Sequence, residues 1–226
     1  MATMHETRQE IRIPTGYTEV SGTFIEGELI WPEKARGVVV FAHGSGSGRL
    51  SPRNQAVARH LRTSGVATLL LDMLTRAEAE EDGRHHQFRF DIALLCDRMI
   101  QATDWLREHA NHHFPLKIGY YGASTGAAAA IMAAAELGER RLHAIVSRGG
   151  RPDLAGKNTL NRLKTPTLLI VGGKDTPVIA LNEQAFSEMR GIKRMALIPG
   201  ASHLFEEPGT LVQVCELASQ WFEEYL

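Results

Sequence analysis

Residues Lys117–Leu137 read KIGYYGASTGAAAAIMAAAEL. The opening six, Lys117–Gly122, are almost continuously apolar and aromatic, which predicts a strand buried on both faces. From Thr125 to Leu137 the sequence is rich in alanine and predicts a helix. The chain must therefore turn from strand into helix around Ser124. The pentapeptide Gly122-Ala123-Ser124-Thr125-Gly126 places glycines on either side of that turn, where strand, turn and helix come close together. A serine so placed projects its hydroxyl above a helix N-terminus. The positive potential there, and a free backbone N–H at Thr125, suit a developing oxyanion. An ordinary glycine-rich turn is the plain alternative; the strand before and the helix after favour a nucleophile.

The same alternation extends in both directions. Gly37–His43, Val66–Asp72, Ala144–Ser147 and Thr167–Gly172 are further apolar runs, and Met195–Ile198 is a shorter one. Between them lie helical patterns over Asn54–Ser64, Phe88–Ala110, Ala180–Met189 and Gly209–Leu226, with a crossover helix after Asp153. In the second of these, Phe90, Leu94, Leu95, Met99, Ile100 and Leu106 recur at helical spacing. Ile11–Trp31 alternates apolar and polar residues, with Gly16, Gly22 and Gly27 as turn signals, and reads as an antiparallel addition at the sheet edge. Regular alternation of strand and helix over residues 1–226 predicts one doubly wound α/β domain with a mostly parallel sheet. Ligands then belong at the carboxyl ends of the strands.

A serine hydroxyl needs a base, and the base needs an orienting acid. In the strand–turn–helix class the chain order is nucleophile, acid, histidine. Two histidines follow Ser124. His143 begins a predicted strand, at the wrong edge of the sheet, and reads as structural. His203 follows the Met195–Ile198 strand through Pro199-Gly200-Ala201-Ser202 and can reach the top of the sheet. Asp175 ends the Thr167–Gly172 strand through Gly173-Lys174 and is the expected acid. Asp153 competes from the loop before the crossover helix, and Glu206 and Glu207 follow the histidine and break the order. The second oxyanion donor is expected from His43-Gly44-Ser45-Gly46-Ser47-Gly48, with the Ser45 N–H first and Gly46 next.

Other chemistries fit less well. The glycine loop satisfies neither G-x-G-x-x-G nor a following G-K-[ST], and at Gly150–Lys157 the spacing is wrong and Asn158 stands where Ser or Thr is required. His85-His86 and His112-His113 are adjacent pairs that diverge on a helix. His109 and His113 lack the intervening Glu of a zinc protease, so no metal is expected. Net charge is -1, from 25 basic and 26 acidic side chains, which gives no bulk attraction to nucleic acid or an anionic membrane. Hydrophobic residues at 43% suit a globular core. Cys96 and Cys215 fall in helical patterns and read as buried free thiols. The N-terminus lacks the apolar core of a signal peptide, and no run approaches a membrane span. A cytoplasmic, soluble protein is expected.

The motifs Val38–Gly48 (VVVFAHGSGSG), Gly122–Gly126, Val146–Asp153 (VSRGGRPD), Leu168–Asp175 (LLIVGGKD) and Pro199–Pro208 (PGASHLFEEP), taken in order, resemble the dienelactone-hydrolase family of α/β hydrolases. The resemblance runs from about Gly37 to Leu226. It is nearest to those members that bacteria sometimes fuse to a phosphoribosyltransferase domain, although no such segment is read in this chain. It implies an α/β-hydrolase fold and cofactor-free hydrolysis of an ester or lactone through an acyl-enzyme. The family's nucleophile is a cysteine, and Ser124 replaces it here. His43-Gly44-Ser45-Gly46 likewise replaces a glutamate-bearing motif, so a general carboxylesterase or lactonase is the expected activity on a small-molecule ester. An acyltransferase with the same residues, or a non-catalytic binding protein, are the other classes; the oligomeric state is left open.

Two features bear on the substrate. Met73–Phe88, with Arg76, Glu78, Glu80, Glu81, Asp82 and Arg84, is the one candidate lid and reads as a solvated loop, so the cap is minimal and short acyl chains are expected. Arg148, at the end of a core strand before Gly149-Gly150, is positioned to hold a substrate carboxylate. A structural salt bridge with Asp153 or a neighbour is the alternative.

Overall fold

The computed structural model describes residues 5–16, 23–109 and 116–226. Among the described residues eight strands form one sheet: β1 (Glu6–Pro14), β2 (Phe24–Pro32), β3 (Val38–Ala42), β4 (Ala67–Leu71), β5 (Ile118–Ala123), β6 (Ala144–Arg148), β7 (Thr167–Gly172) and β8 (Lys193–Ile198). Their order across the sheet is β1-β2-β4-β3-β5-β6-β7-β8. From β4 to β8 every pairing is parallel. The expected antiparallel addition is the β1–β2 pair, and β2 in turn runs antiparallel to β4. It begins at Glu6, earlier than the Ile11 read from the sequence. Gly27 is no turn: it sits inside β2 opposite Ile11, where a side chain would collide with Leu71. The turn expected at Gly22 lies outside the described residues.

The continuous apolar runs are explained by burial on both faces. Along β3, Val38, Val40 and Ala42 face one core, and Val39 and Phe41 face the other. The first core is covered by α3 (Ile92–His109), α4 (Thr125–Leu137), α5 (Lys157–Arg162) and α6 (Thr176–Glu188); the second by α1 (Pro52–Thr63) and α7 (Thr210–Tyr225). This is the α/β-hydrolase fold, with a mostly parallel sheet between two helical layers and a minimal cap.

Further along the chain α6 starts at Thr176, before the expected Ala180, and two stretches depart more widely from the sequence reading. The helix expected over Phe88–Ala110 is divided: Phe88–Phe90 is a single 3-10 turn and α3 starts at Ile92. Asp91 causes the break, accepting the Leu94 N–H at 3.0 Å as a cap does. Phe90 is consequently 57% exposed rather than part of the apolar face. The expected end of that helix at Ala110 and the pair His112-His113 lie outside the described residues. The polar stretch after β4 is not a loop but a helix, α2 (Arg76–His85). Thr75 and Glu78 form a reciprocal capping box at its start. Glu78 also accepts from buried Arg98 of α3 at 2.6 Å, and Asp82 takes N–H bonds from Phe88 and Arg89 together with the Arg89 guanidinium. Burial alone would raise the Asp82 carboxyl pKa, but those Arg89 and Phe88 bonds outweigh it and hold it below the ordinary value. Among the described residues no helix is long and apolar enough to cross a membrane.

The crossover pattern sets the place for chemistry. After β3 the chain moves to β4 on one side, and then returns to β5 on the other. The loops leaving β3 and β5 therefore diverge and open a crevice between them. Gly44 follows one strand and Ser124 the other.

Candidate active site

Ser124 stands alone between β5 and α4, with φ 52° and ψ −122°. That backbone is costly for a residue with a Cβ and persists only when its surroundings enforce it. Here the Ser124 N–H donates to the Arg148 carbonyl at 3.3 Å, and its own carbonyl accepts from Ala127 and Arg151, each at 3.1 Å. Gly126 lets the helix start directly against β3, since a Cβ there would lie 2.3 Å from the Ala42 carbonyl oxygen.

His203 is carried by the loop after β8. Glu207 accepts the Ser202 N–H with both carboxylate oxygens, at 3.0 and 3.1 Å, and Lys174 N–H donates to the Ala201 carbonyl at 2.9 Å. Bonds from Ser202, from the Glu207 backbone and the nearby Lys174 charge hold the Glu207 carboxyl below its ordinary pKa. Phe205, buried with φ 56°, reverses the chain after the histidine. Asp175 sits between β7 and α6, and its Oδ2 lies 2.6 Å from His203 Nδ1. A carboxylate only accepts, so Nδ1 carries a hydrogen, and in the neutral ring Nε2 is then the nitrogen with the lone pair. That is the tautomer a general base requires.

Ser124 and His203 line one cavity of about 300 Å³ with Gly44, Ser45, Arg148 and Leu204. Gly44 passes so close that a methyl group on it would lie 3.0 Å from Ser124 Cβ. The Ser45 N–H, in the same loop, and the Thr125 N–H, first in α4, are not engaged by described neighbours. A second cavity of about 250 Å³ lies across the Gly44–Ser47 loop, against Leu74, Ala79 and Leu95. A larger one of about 590 Å³ adjoins it beside Phe24 and Asp72, and neither of these reaches Ser124 or His203. Chemistry rather than size therefore selects the first.

The remaining candidates fall elsewhere. His143 accepts the Ile118 N–H at 3.2 Å at the opposite end of the strands. Asp153 is gripped by Arg151 at 2.8 and 2.7 Å, away from His203, and Glu206 pairs with Arg53 at 3.2 Å. Arg148 does not pair with Asp153. It is 5% exposed, its Nε and Nη2 reach Tyr121 Oη at 3.4 Å and Asn54 Oδ1 at 3.3 Å, and its guanidinium lies over the Phe205 ring. Cys96 and Cys215 are free and buried, and burial pushes their thiols up to about 12 and about 11. Among the described residues no group of three His, Cys, Asp or Glu side chains is placed to hold a metal.

A family model described as an alpha/beta hydrolase domain matches residues 35–213. The chain belongs to that family. The crystal structure of a dienelactone hydrolase from Anabaena variabilis is similar at 51% identity, covering 98% of this chain and 99% of that one, with a TM-score of 0.91. At that likeness the α/β hydrolase is of the dienelactone-hydrolase-like type, and the expected class of carboxylic ester hydrolase is borne out at the level of family. A putative phosphoribosyl transferase of Mycobacterium tuberculosis is 49% identical over 218 residues. The match takes in 96% of this chain and 46% of that protein, so the chain spans about half the length of the curated relatives it matches. Est1E from Butyrivibrio proteoclasticus shares the fold alone, with a TM-score of 0.76 at 15% identity.

Three residues shape this α/β-hydrolase site in roles that sequence reasoning did not give them, Glu207 being weighed there only as an acid and His43 only as the start of the glycine loop. His43 bonds through both ring nitrogens, Asn54 meets Arg148, and Glu207 fixes the backbone before His203. None carries a sequence signal, because each acts on a segment distant in the chain or on a backbone group.

Proposed function

We propose that the chain is a serine hydrolase of carboxylesterase or lactonase type, acting on small-molecule esters without a cofactor. His203 Nε2 takes the Ser124 hydroxyl proton as Oγ bonds to the ester carbonyl carbon. Asp175 holds the imidazole and balances the imidazolium. The N–H groups of Ser45 and Thr125 receive the negative oxygen of the tetrahedral intermediate. Its collapse breaks the carbon–oxygen bond to the alcohol, which leaves with the proton from His203, and the acyl group stays on Ser124. Water repeats the sequence, loses its proton to His203 and releases the acid. Arg148 borders this reaction and contacts the bound substrate. The cytoplasm is the expected setting, supported by two thiols left free.

The observation that carries this reading is the 2.6 Å His203–Asp175 pair facing the cavity that Ser124 enters from a strained turn. The name of the Anabaena relative, a dienelactone hydrolase, points the same way. The test is labelling of the purified chain with a fluorophosphonate, read by intact mass. One adduct on wild type and none on Ser124→Ala is expected. No adduct on the folded wild type would sink the proposal. Product analysis with added alcohol then separates hydrolysis, which yields free acid, from acyl transfer, which yields a new ester.

A further inference from the structure

Arg148 is a buried cation without a buried anion. Among the described residues no carboxylate lies within ion-pair distance of it, and its only polar partners are the neutral Tyr121 and Asn54. A guanidinium removed from water ordinarily requires a countercharge. Asp153, the carboxylate nearest to it in sequence, is already committed to Arg151. Among the described residues, none that lines the cavity Arg148 shares with Ser124 is a carboxylate. The cavity does hold the hydroxyls of Ser45 and Ser47, which have no hydrogen-bond partner among the described residues, and the first turn of α1, where Pro52 has no N–H and Ser51 takes that of Asn54, leaving the Arg53 backbone N–H. The exposed cavity wall is thus a set of donors and positive potential facing a nucleophile.

We infer that this cavity is an anion subsite and that the ester attacked by Ser124 carries a phosphate group at its non-reacting end, held by Arg148, Ser45, Ser47 and the N-terminal turn of α1. The inference rests on the hydrolase reading and specifies its substrate. The choice of phosphate over carboxylate follows from the number of donors in the cavity wall. Its Nε–Nη2 edge, one of the two that fork onto a planar carboxylate, already donates to Tyr121 and Asn54. Three N–H groups are left without a partner among the described residues, two on Nη1 and one on Nη2, and they form the guanidinium's other edge. Two carboxylate oxygens would be satisfied by that edge alone, whereas the three free oxygens of a phosphate monoester can take it and also accept from the Ser45 and Ser47 hydroxyls.

The test reads binding rather than turnover. Ser124→Ala protein is titrated by calorimetry with inorganic phosphate and with succinate at one ionic strength. Phosphate is expected to bind at least about tenfold more tightly than succinate. Arg148→Gln should weaken phosphate binding by about tenfold or more. Asn54→Asp gives the same loss by a different route. It sets a carboxylate against Arg148 Nη2 at the third residue of α1, a position where an acidic side chain favours the helix. Where Arg148→Gln does not fold, Asn54→Asp decides alone. Absence of phosphate binding, equal or tighter binding of succinate, or binding unmoved by Asn54→Asp overturns the inference. A failed fluorophosphonate label with intact phosphate binding would overturn the hydrolase reading instead.

Discussion

His43 Nε2 accepts the Met73 backbone N–H at 3.0 Å, joining the strand end that leads into the Gly44–Ser47 loop to the first residue after Asp72. The other ring nitrogen lies 2.9 Å from the Gly44 carbonyl and, since a carbonyl accepts, carries the hydrogen. Both nitrogens are thus used in the neutral ring only. Burial lowers the His43 pKa, against smaller opposing effects from Gly44 and Asp72.

The sign of the pH dependence follows. The unfolded chain takes up a proton near the ordinary imidazole value of 6.5, and the folded chain does so only at lower pH. The stability contributed by neutral His43 is therefore complete above that value and is lost as pH falls below it. In urea unfolding from pH 7.5 down to pH 5 (a window set by the ordinary imidazole value), His43→Gln should show a shallower fall in stability than wild type. Parallel curves would remove His43 as the cause.

Ser124 trades stability for reach. Glycine tolerates φ 52° without strain, so Ser124→Gly should stabilise the fold by about 1 kcal/mol in denaturant titration. Ser124→Ala keeps the strain. Both should lose esterase activity by about four orders of magnitude or more.

Asp175→Asn leaves a side chain of the same shape beside His203 but can donate to Nδ1, favouring the wrong tautomer. A fall in kcat of about 10⁴ is expected, with KM nearly unchanged. A loss expressed mainly in KM would mean that Asp175 shapes the substrate pocket instead.

Helix α2 depends on the buried contact between Arg98 and Glu78, which are 3% and 17% exposed. Removing one partner strands the other, so Glu78→Ala should cost about 3 kcal/mol in urea unfolding. Double substitution Arg98→Met with Glu78→Leu should recover much of that loss. If the double variant were as unstable as Glu78→Ala, the capping bond to Thr75 would be the larger part.

What could be read in advance was local. The strand before Ser124, the glycines around it and the helix after it occupy one continuous segment, so each supports the others. Asp175 and His203 followed from chain order and from their places at strand ends. Helix α2 was missed because its charges look like a solvated loop, although Thr75-Arg76-Ala77-Glu78 is a readable capping signature. Its anchors, Arg98 and Arg89, lie on later segments. The pairing of Asp153 with Arg151 rather than Arg148 was equally invisible, since it depends on how β6 directs Arg148 toward Phe205 and Asn54, far away in sequence.

Ser124 donates its backbone N–H to the carbonyl of Arg148 and accepts from the N–H of Arg151. The proposed nucleophile and the guanidinium are thereby fastened to one peptide frame, with no hinge between them. Such a frame behaves as a fixed gauge. A ligand spanning the two must match their separation, and one a bond too short or too long gains little from being otherwise a good fit. Evolution or engineering of new substrates on this scaffold would then proceed by altering length before altering bulk.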